Sequence, residues 1–394
     1  MLKIQKGYFW WSFLLFAFLI PVSQFLSVRV LAILLVGSFF VPAEVSFSRF
    51  IRFSWEIFVF LLVLLIGLLY TEDQSAGFAN IETSFSLLAV PLVLSRINLD
   101  EGKFSAVCYS FGGGMLAATM LCLVNAVIKF ISDNNPTAFV YYEFTDVLHL
   151  QPTYFAYYLT FIVTVGIYFL YYEKSTIKPW ILYAAVLFFF AMLLLTGGRT
   201  AYVSLLLVFS FFVLKYFLED KSTKKNIVFV MIIVMIGTMF YFSSRDSEII
   251  GVNNADGDYW DRIVLWESAL QAAAPHLIAG VGTGDYRHLL NEYYTSHGMS
   301  ELADTNMNSH NQFIQILFSN GILGIIALVL MLSRPLYWSV RNDHILGTLC
   351  MFAFPLYGLT EVFLGRYQGV VFFALLHQLF TAHYRSILPV FSLK

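Results

Sequence analysis

His310 and Asn311 stand where a polar stretch meets an apolar run, and Gly321 and Gly324 follow nine residues further on. A histidine at the first turn of a membrane span faces the positive end of that helix, which disfavours imidazolium. A neutral ring there can take a proton from a hydroxyl, as a general base must. The competing reading is a hydrogen-bonded histidine at the membrane boundary. Two arginines have addresses that suit an anion. Arg199 follows Gly197-Gly198 at the end of an apolar run, and Arg262 sits early in an amphipathic stretch of the polar segment. Guanidinium groups grip phosphate oxygens two at a time and keep their charge at any relevant pH. Backbone N–H groups left open by the two glycines would add to such a site. The competing readings are a snorkelling side chain for Arg199 and a solvated helix face for Arg262. Gly321 and Gly324 read as positions where helices pack closely.

Other polar residues carry weaker signals. Glu361 and Arg366 fall at one end of an apolar run, where a local ion pair is the competing reading. Tyr154, after Gln151-Pro152, opens a span and fits an aromatic belt equally well. Glu56 and Glu82 lie in or near apolar runs, where ionisable groups are costly and often functional. His276, His288 and His297 share no metal-ligand spacing, so neither a metal nor a cofactor is expected.

The elements that must position these residues follow from composition. The 394 residues are 59% hydrophobic and only 12% charged, about half the charged share of a soluble domain. Apolar runs long enough to cross a bilayer recur throughout. The expected fold is an all-α polytopic membrane protein of about twelve spans, with one large, partly helical periplasmic loop late in the chain. Three parts are expected: a bundle of about nine spans over 1–243, the loop over 244–309, and about three spans over 310–394. The first two spans are expected at 9–27 and 28–42, interrupted by Pro21, and the last before the loop at 227–243. The span at 104–131 is long enough to tilt or to kink at Gly112-Gly113-Gly114.

Most of the 23 lysines and arginines fall on one side of this topology, with Lys215–Lys225 as the strongest anchor. That places both termini in the cytoplasm and the loop outside. Within the loop, a helix is expected over Asp258–Ala274, capped by Asp256 or Asp258 and ended by Pro275, with Ile263, Trp266, Leu270 and Ala273 on its apolar face. A glycine turn at Gly280–Gly284 and a second helix at Asp285–Tyr294 follow, and Gly298–Asn308 is expected to be flexible. Cys108, Cys122 and Cys350 lie in apolar runs and read as small buried hydrophobes. The N-terminus has no cleavage site after a short apolar core and reads as a first span. No basic patch with interleaved aromatics points to nucleic acid.

His310-Asn311, nine residues, then Gly321-Ile322-Leu323-Gly324 resembles the signature of the O-antigen ligase and O-antigen polymerase superfamily. The likeness extends over about residues 150–365 and takes in Thr196-Gly197-Gly198-Arg199, the Arg262 helix, and the turn Gly280-Val281-Gly282-Thr283-Gly284. Val203 departs mildly from the leucine often found after the family's arginine. The resemblance implies a donor glycan on a polyprenyl diphosphate, and a lipid A-core or other glycan as acceptor. It also implies membrane lipid around the protein and transfer without metal or nucleotide sugar on the periplasmic face of a bacterial inner membrane. In that setting His310 would be the base, Arg199 and Arg262 would hold the diphosphate, and Asn311 would orient His310 or bind sugar. Glu361 would match an acid that the superfamily often has, and Tyr154 a tyrosine. A polysaccharide polymerase and a protein O-oligosaccharyltransferase share this constellation. A transporter or lipid flippase would more often carry its charges at mid-bilayer and show an internal repeat.

Overall fold

The structure, a computed structural model, describes residues 2–171, 176–197, 199–219 and 262–387, together with Gly237. The described residues form helices joined by turns and contain no strand. The described apolar runs satisfy most of their backbone within themselves by coiling, as a chain in lipid must. Among the described residues, four stretches are long and apolar enough to cross a membrane: Gln74–Leu94, Glu101–Asp133, Pro152–Tyr171 and Gln312–Arg341. Shorter apolar helices occupy other expected spans, among them Gln24–Ser38, Trp55–Leu68, Pro179–Leu195 and Ile345–Gly358. The expected span at 227–243 and the caps Asp256 and Asp258 lie outside the described residues.

By packing, the chain divides into two units. The first holds α1 (Leu2–Leu19), α2 (Gln24–Ser38), α3 (Phe47–Arg52), α4 (Trp55–Leu68), α5 (Gln74–Ser84) and α6 (Ser86–Leu94). Helix α7 (Glu101–Asp133) contributes residues to both units and runs unbroken through Gly112–Gly114, where a kink was one expectation. The second unit continues with α8 (Tyr141–Thr145), α9 (Pro152–Tyr171), α10 (Pro179–Leu195) and α11 (Arg199–Glu219). There α9 packs on α10 and α11, and Gly166 lies so close to Val186 that a larger residue would displace it.

The chain returns to the first unit with the loop helices α12 (Arg262–Ala273), α13 (Tyr286–Ser296) and α14 (Ser300–Asp304). Then come α15 (Gln312–Arg341), α16 (Ile345–Gly358) and α17 (Tyr367–Ile387). Helix α15 is the axis of this unit, packed on α4, α16, α17 and α12.

Two loop expectations need correction. The stretch after Gly298 is not flexible coil: Ser300–Asp304 is a helix, and Leu302 is buried in the loop's core. The buried face of α12 is Leu265, Ser268, Ala269 and the expected Ala273, with the expected Trp266 packed against the same core, while Ile263 and Leu270 are exposed. Tyr286 and Tyr294 fill the facing volume, which leaves room for alanines rather than for larger side chains.

Candidate active site

Asn311 sets the start of α15. Its Oδ1 accepts from the N–H groups of Phe313 (2.9 Å) and Ile314 (3.1 Å), and its Nδ2 donates to the Leu359 carbonyl at 3.3 Å. Both ends of this side chain are therefore engaged with protein, which makes Asn311 a helix cap. His310, just outside the cap, has φ 43°. That left-handed conformation is sparsely populated by non-glycine residues and holds only where the surroundings impose it. Here Asn308 imposes it, with its Oδ1 accepting the His310 N–H at 2.7 Å.

The ring of His310 lies between two partners. Nδ1 is 3.4 Å from Oε2 of Glu361, and Nε2 is 3.3 Å from the Met307 sulfur. Glu361 belongs to the connection between α16 and α17 and is buried. Burial pushes its carboxyl up. The hydrogen bond and charge of His310, the Val362 N–H at 2.9 Å and the charge of Arg366 outweigh this and hold it below the ordinary value. An ionised Glu361 fixes the tautomer of its neighbour. In a neutral ring the hydrogen on Nδ1 would face the carboxylate, and the Met307 sulfur, which can only accept, would leave the Nε2 lone pair without a hydrogen bond.

Arg262 joins this cluster through the backbone. Its Nη1 donates to the carbonyl of Thr360, the residue before Glu361, at 2.9 Å. A guanidinium carries five donors, and this contact uses one. Arg366 is exposed at the end of the same connection. His310, Asn311, Glu361, Arg262 and Arg366 therefore lie together in the first unit. Arg199 is the first residue of α11 in the second unit, and its side chain lies outside the described residues. Tyr154 is buried in α9 of that same unit, so it does not stand in an exposed aromatic belt.

Gly321 is not simply a point of close helix packing. At φ 63° and ψ −158° it breaks α15, and a Cβ there would collide with the Ile278 carbonyl of the loop. Gly324 does sit in tight packing, against Asn320 and Ile316 of its own helix. Sequence reasoning missed Asn308 and Met307, both within the stretch expected to be flexible. It also missed Gln312, whose Oε1 accepts the Leu364 N–H at 2.7 Å and braces the connection that carries Glu361. The available signal was a pair of glutamines, Gln312 and Gln315, opening an otherwise apolar run.

Apolar helices over much of the described chain suggest a membrane protein, and within it a carboxylate, a histidine and an arginine lie together. Residues 184–329 match the family model described as O-antigen ligase, a stretch that takes in Arg199, Arg262 and His310. This match supports the O-antigen ligase/polymerase superfamily for the chain and implies a membrane enzyme of the glycosyl-transfer type. The chain is also similar to an uncharacterized protein of Haemophilus influenzae, 23% identical over 362 residues that cover 85% of this chain and 87% of the relative.

Proposed function

We propose that the protein moves a glycan from a polyprenyl-diphosphate carrier to an acceptor hydroxyl, as an O-antigen ligase does. The observation that carries this reading is the ordered contact Glu361–His310 beside Arg262. His310 Nε2 takes the proton of the acceptor hydroxyl as its oxygen attacks the anomeric carbon. A new C–O bond forms on one face while the bond to the diphosphate breaks on the other, so the configuration inverts. The electron pair leaves on the diphosphate, already a good leaving group, so no general acid is required. Arg262 and Arg199 hold that group and stabilise its growing charge. Glu361 stabilises the imidazolium as it forms, as the carboxylate does in other carboxylate–histidine pairs. Neither metal nor nucleotide sugar enters this scheme. The bias of basic residues supports a site on the periplasmic face of a bacterial inner membrane, with both termini cytoplasmic. It also supports a loop domain at 244–309 between bundles at 1–243 and 310–394.

The test is transfer by purified protein in nanodiscs. A polyprenyl-diphosphate glycan and a set of glycan acceptors are supplied, and products are read by mass spectrometry. Release of free polyprenyl diphosphate with a new glycosidic bond is expected. No new bond with any acceptor, from protein that binds the donor, would remove the reading. Reporter fusions after residues 222 and 275 should score as cytoplasmic and external, respectively.

A further inference from the structure

The turn that follows α12 looks in sequence like a phosphate cradle, with three glycines in Gly280–Gly284 before a helix. Its amides are already committed to protein. Gly280 donates to the His276 carbonyl (2.7 Å), Val281 to Phe318 (2.9 Å), Gly282 to Ser319 (2.9 Å) and Gly284 to the Thr71 hydroxyl (3.2 Å). Thr283 donates through its N–H to the Gly67 carbonyl at 3.4 Å and through its hydroxyl to the Leu64 carbonyl at 2.7 Å. In return Ile322 donates to the Leu277 carbonyl at 2.9 Å, and the Tyr70 hydroxyl donates to the Ala279 carbonyl. The loop is thus spliced into the break of α15 and onto the end of α4. The splice lies roughly 12 Å along α15 from Gln312, at 1.5 Å per residue.

The side chains at this splice are apolar and outward. Ile278 is 82% exposed, and Leu277 beside it is also exposed. Their neighbours through the splice are exposed as well: Ile322 and Leu323 of α15, and Ile66 and Leu69 at the end of α4. The loop's apolar surface therefore continues the apolar surface of two membrane helices. Non-helical backbone survives at membrane depth only where protein satisfies its polar groups. The hydrogen bonds of this splice meet that condition; the outward side chains of Leu277–Ala279 are apolar, and exposed His276, Glu72 and Asp73 flank them on the polar side.

We infer that Leu277–Ala279 re-enters the bilayer, with Ile278 immersed in lipid hydrocarbon, and that this wedge anchors the extramembrane loop to the membrane. The occupant of the apolar face is bilayer lipid, because the face is continuous with the lipid-facing sides of α4 and α15. Helix α12 leads directly into the wedge, so Arg262 at its other end stays tethered near the headgroups. Under the transferase reading, that is the level at which a lipid-borne diphosphate arrives.

The test needs neither substrate nor activity, so its outcome is independent of the transferase reading. Cysteine is placed singly at Ile278, Leu277 and, as an aqueous control, Glu301, and labelled with an environment-sensitive fluorophore on the folded protein in phospholipid nanodiscs. The native cysteines are buried. The label at 278 should lose most of its fluorescence to nitroxide lipids and little to iodide, and the label at 301 the reverse. If Ile278→Cys fails to fold, Leu277→Cys gives the same reading. Iodide quenching at 278 equal to that at 301 would overturn the inference. Protection from both quenchers would overturn it too, since the face would then be covered by protein.

Discussion

Two histidine–glutamate pairs flank helix α15, one just before its start and one against Arg334 toward its far end, and they differ in how far they are enclosed. At the start, His310 and Glu361 approach to 3.4 Å with side chains 30% and 11% exposed. Toward the far end, His377 and Glu56 approach to 3.2 Å, both fully buried, and Arg334 of α15 reaches Glu56 at 3.1 Å. The second pair is enclosed by ion-pair contacts, although the facing Glu56, Arg334 Nε and His377 Nε2 atoms make no hydrogen bond of good geometry. Gln378 Nε2 lies 3.1 Å from His377 Nδ1, so Nε2 is left to face the carboxylate, and the arginine supplies the opposing charge. The first pair leaves Nε2 against a sulfur beside solvent. Identical residue types thus serve as an internal tie between α4, α15 and α17 in one place and as a candidate base in the other. Access makes the difference.

The comparison can be broken from either side. His310→Ala should lose roughly 10²–10⁴-fold in transfer rate, the usual worth of a general base, with donor binding and thermal stability near wild type. Full activity in a folded variant would end the base assignment. Donor binding lost in step with rate would move His310 into the phosphate site. At the inner tie the effect should fall on stability. Glu56→Ala leaves the buried His377 and the partly exposed Arg334 without their carboxylate, at a cost of up to about 3–5 kcal/mol. The check is thermal unfolding in detergent, with residual activity normalised to folded protein. A Glu56→Ala protein as stable as wild type would show that water or another group replaces the carboxylate.

Smaller effects sharpen the contrast. Glu361→Gln should lower the rate by roughly 10–100-fold through loss of imidazolium stabilisation, while leaving the apparent affinity for donor largely unchanged. Arg262→Lys should impair transfer, because an ammonium cannot reproduce the two-pronged grip of a guanidinium. Arg262→Ala should cost more, and activity against donor concentration separates the two. The gentlest probe is pH. Glu361 is held below its ordinary value of 4.5, so it stabilises the fold at pH above that value. This contribution is lost as pH falls from 4.5 through the lower folded value. The difference in melting temperature between wild type and Glu361→Gln should shrink as the pH falls below 4.5. A difference that grows on acidification would reverse the sign of the Glu361 shift.

Much of the architecture was readable because lipid imposes a simple rule: a run of apolar residues of sufficient length must coil. Several described helices begin and end close to the expected spans, as Pro152–Tyr171, Ile345–Gly358 and Tyr367–Ile387 illustrate, whereas the first two lie at Leu2–Leu19 and Gln24–Ser38 rather than 9–27 and 28–42, and Gln312–Arg341 runs past the expected end at 332. The loop was less readable. Its first helix was expected, yet the face it buries depends on the tyrosines of a later helix, and local periodicity does not report that. Ser300–Asp304 is too short and too polar to announce itself; Leu302 orders it through contacts with distant residues.

The sequence alone determined which residues deserved suspicion: a histidine at a span start, arginines at polar margins, an acid and an arginine near the end of a later apolar run. Those choices follow from the cost of placing charge beside hydrocarbon, a property of composition and position. Only the tertiary structure decided their partners. It set Glu361 against Nδ1 of His310, tied Arg262 to the carbonyl of Thr360, and enclosed Glu56 with Arg334 and His377. It also turned Gly321 from a packing position into a break that admits the loop. The physical reason is reach: hydrogen bonds and ion pairs act over a few ångströms between segments far apart along the chain, so folding, not spacing, chooses which of them meet.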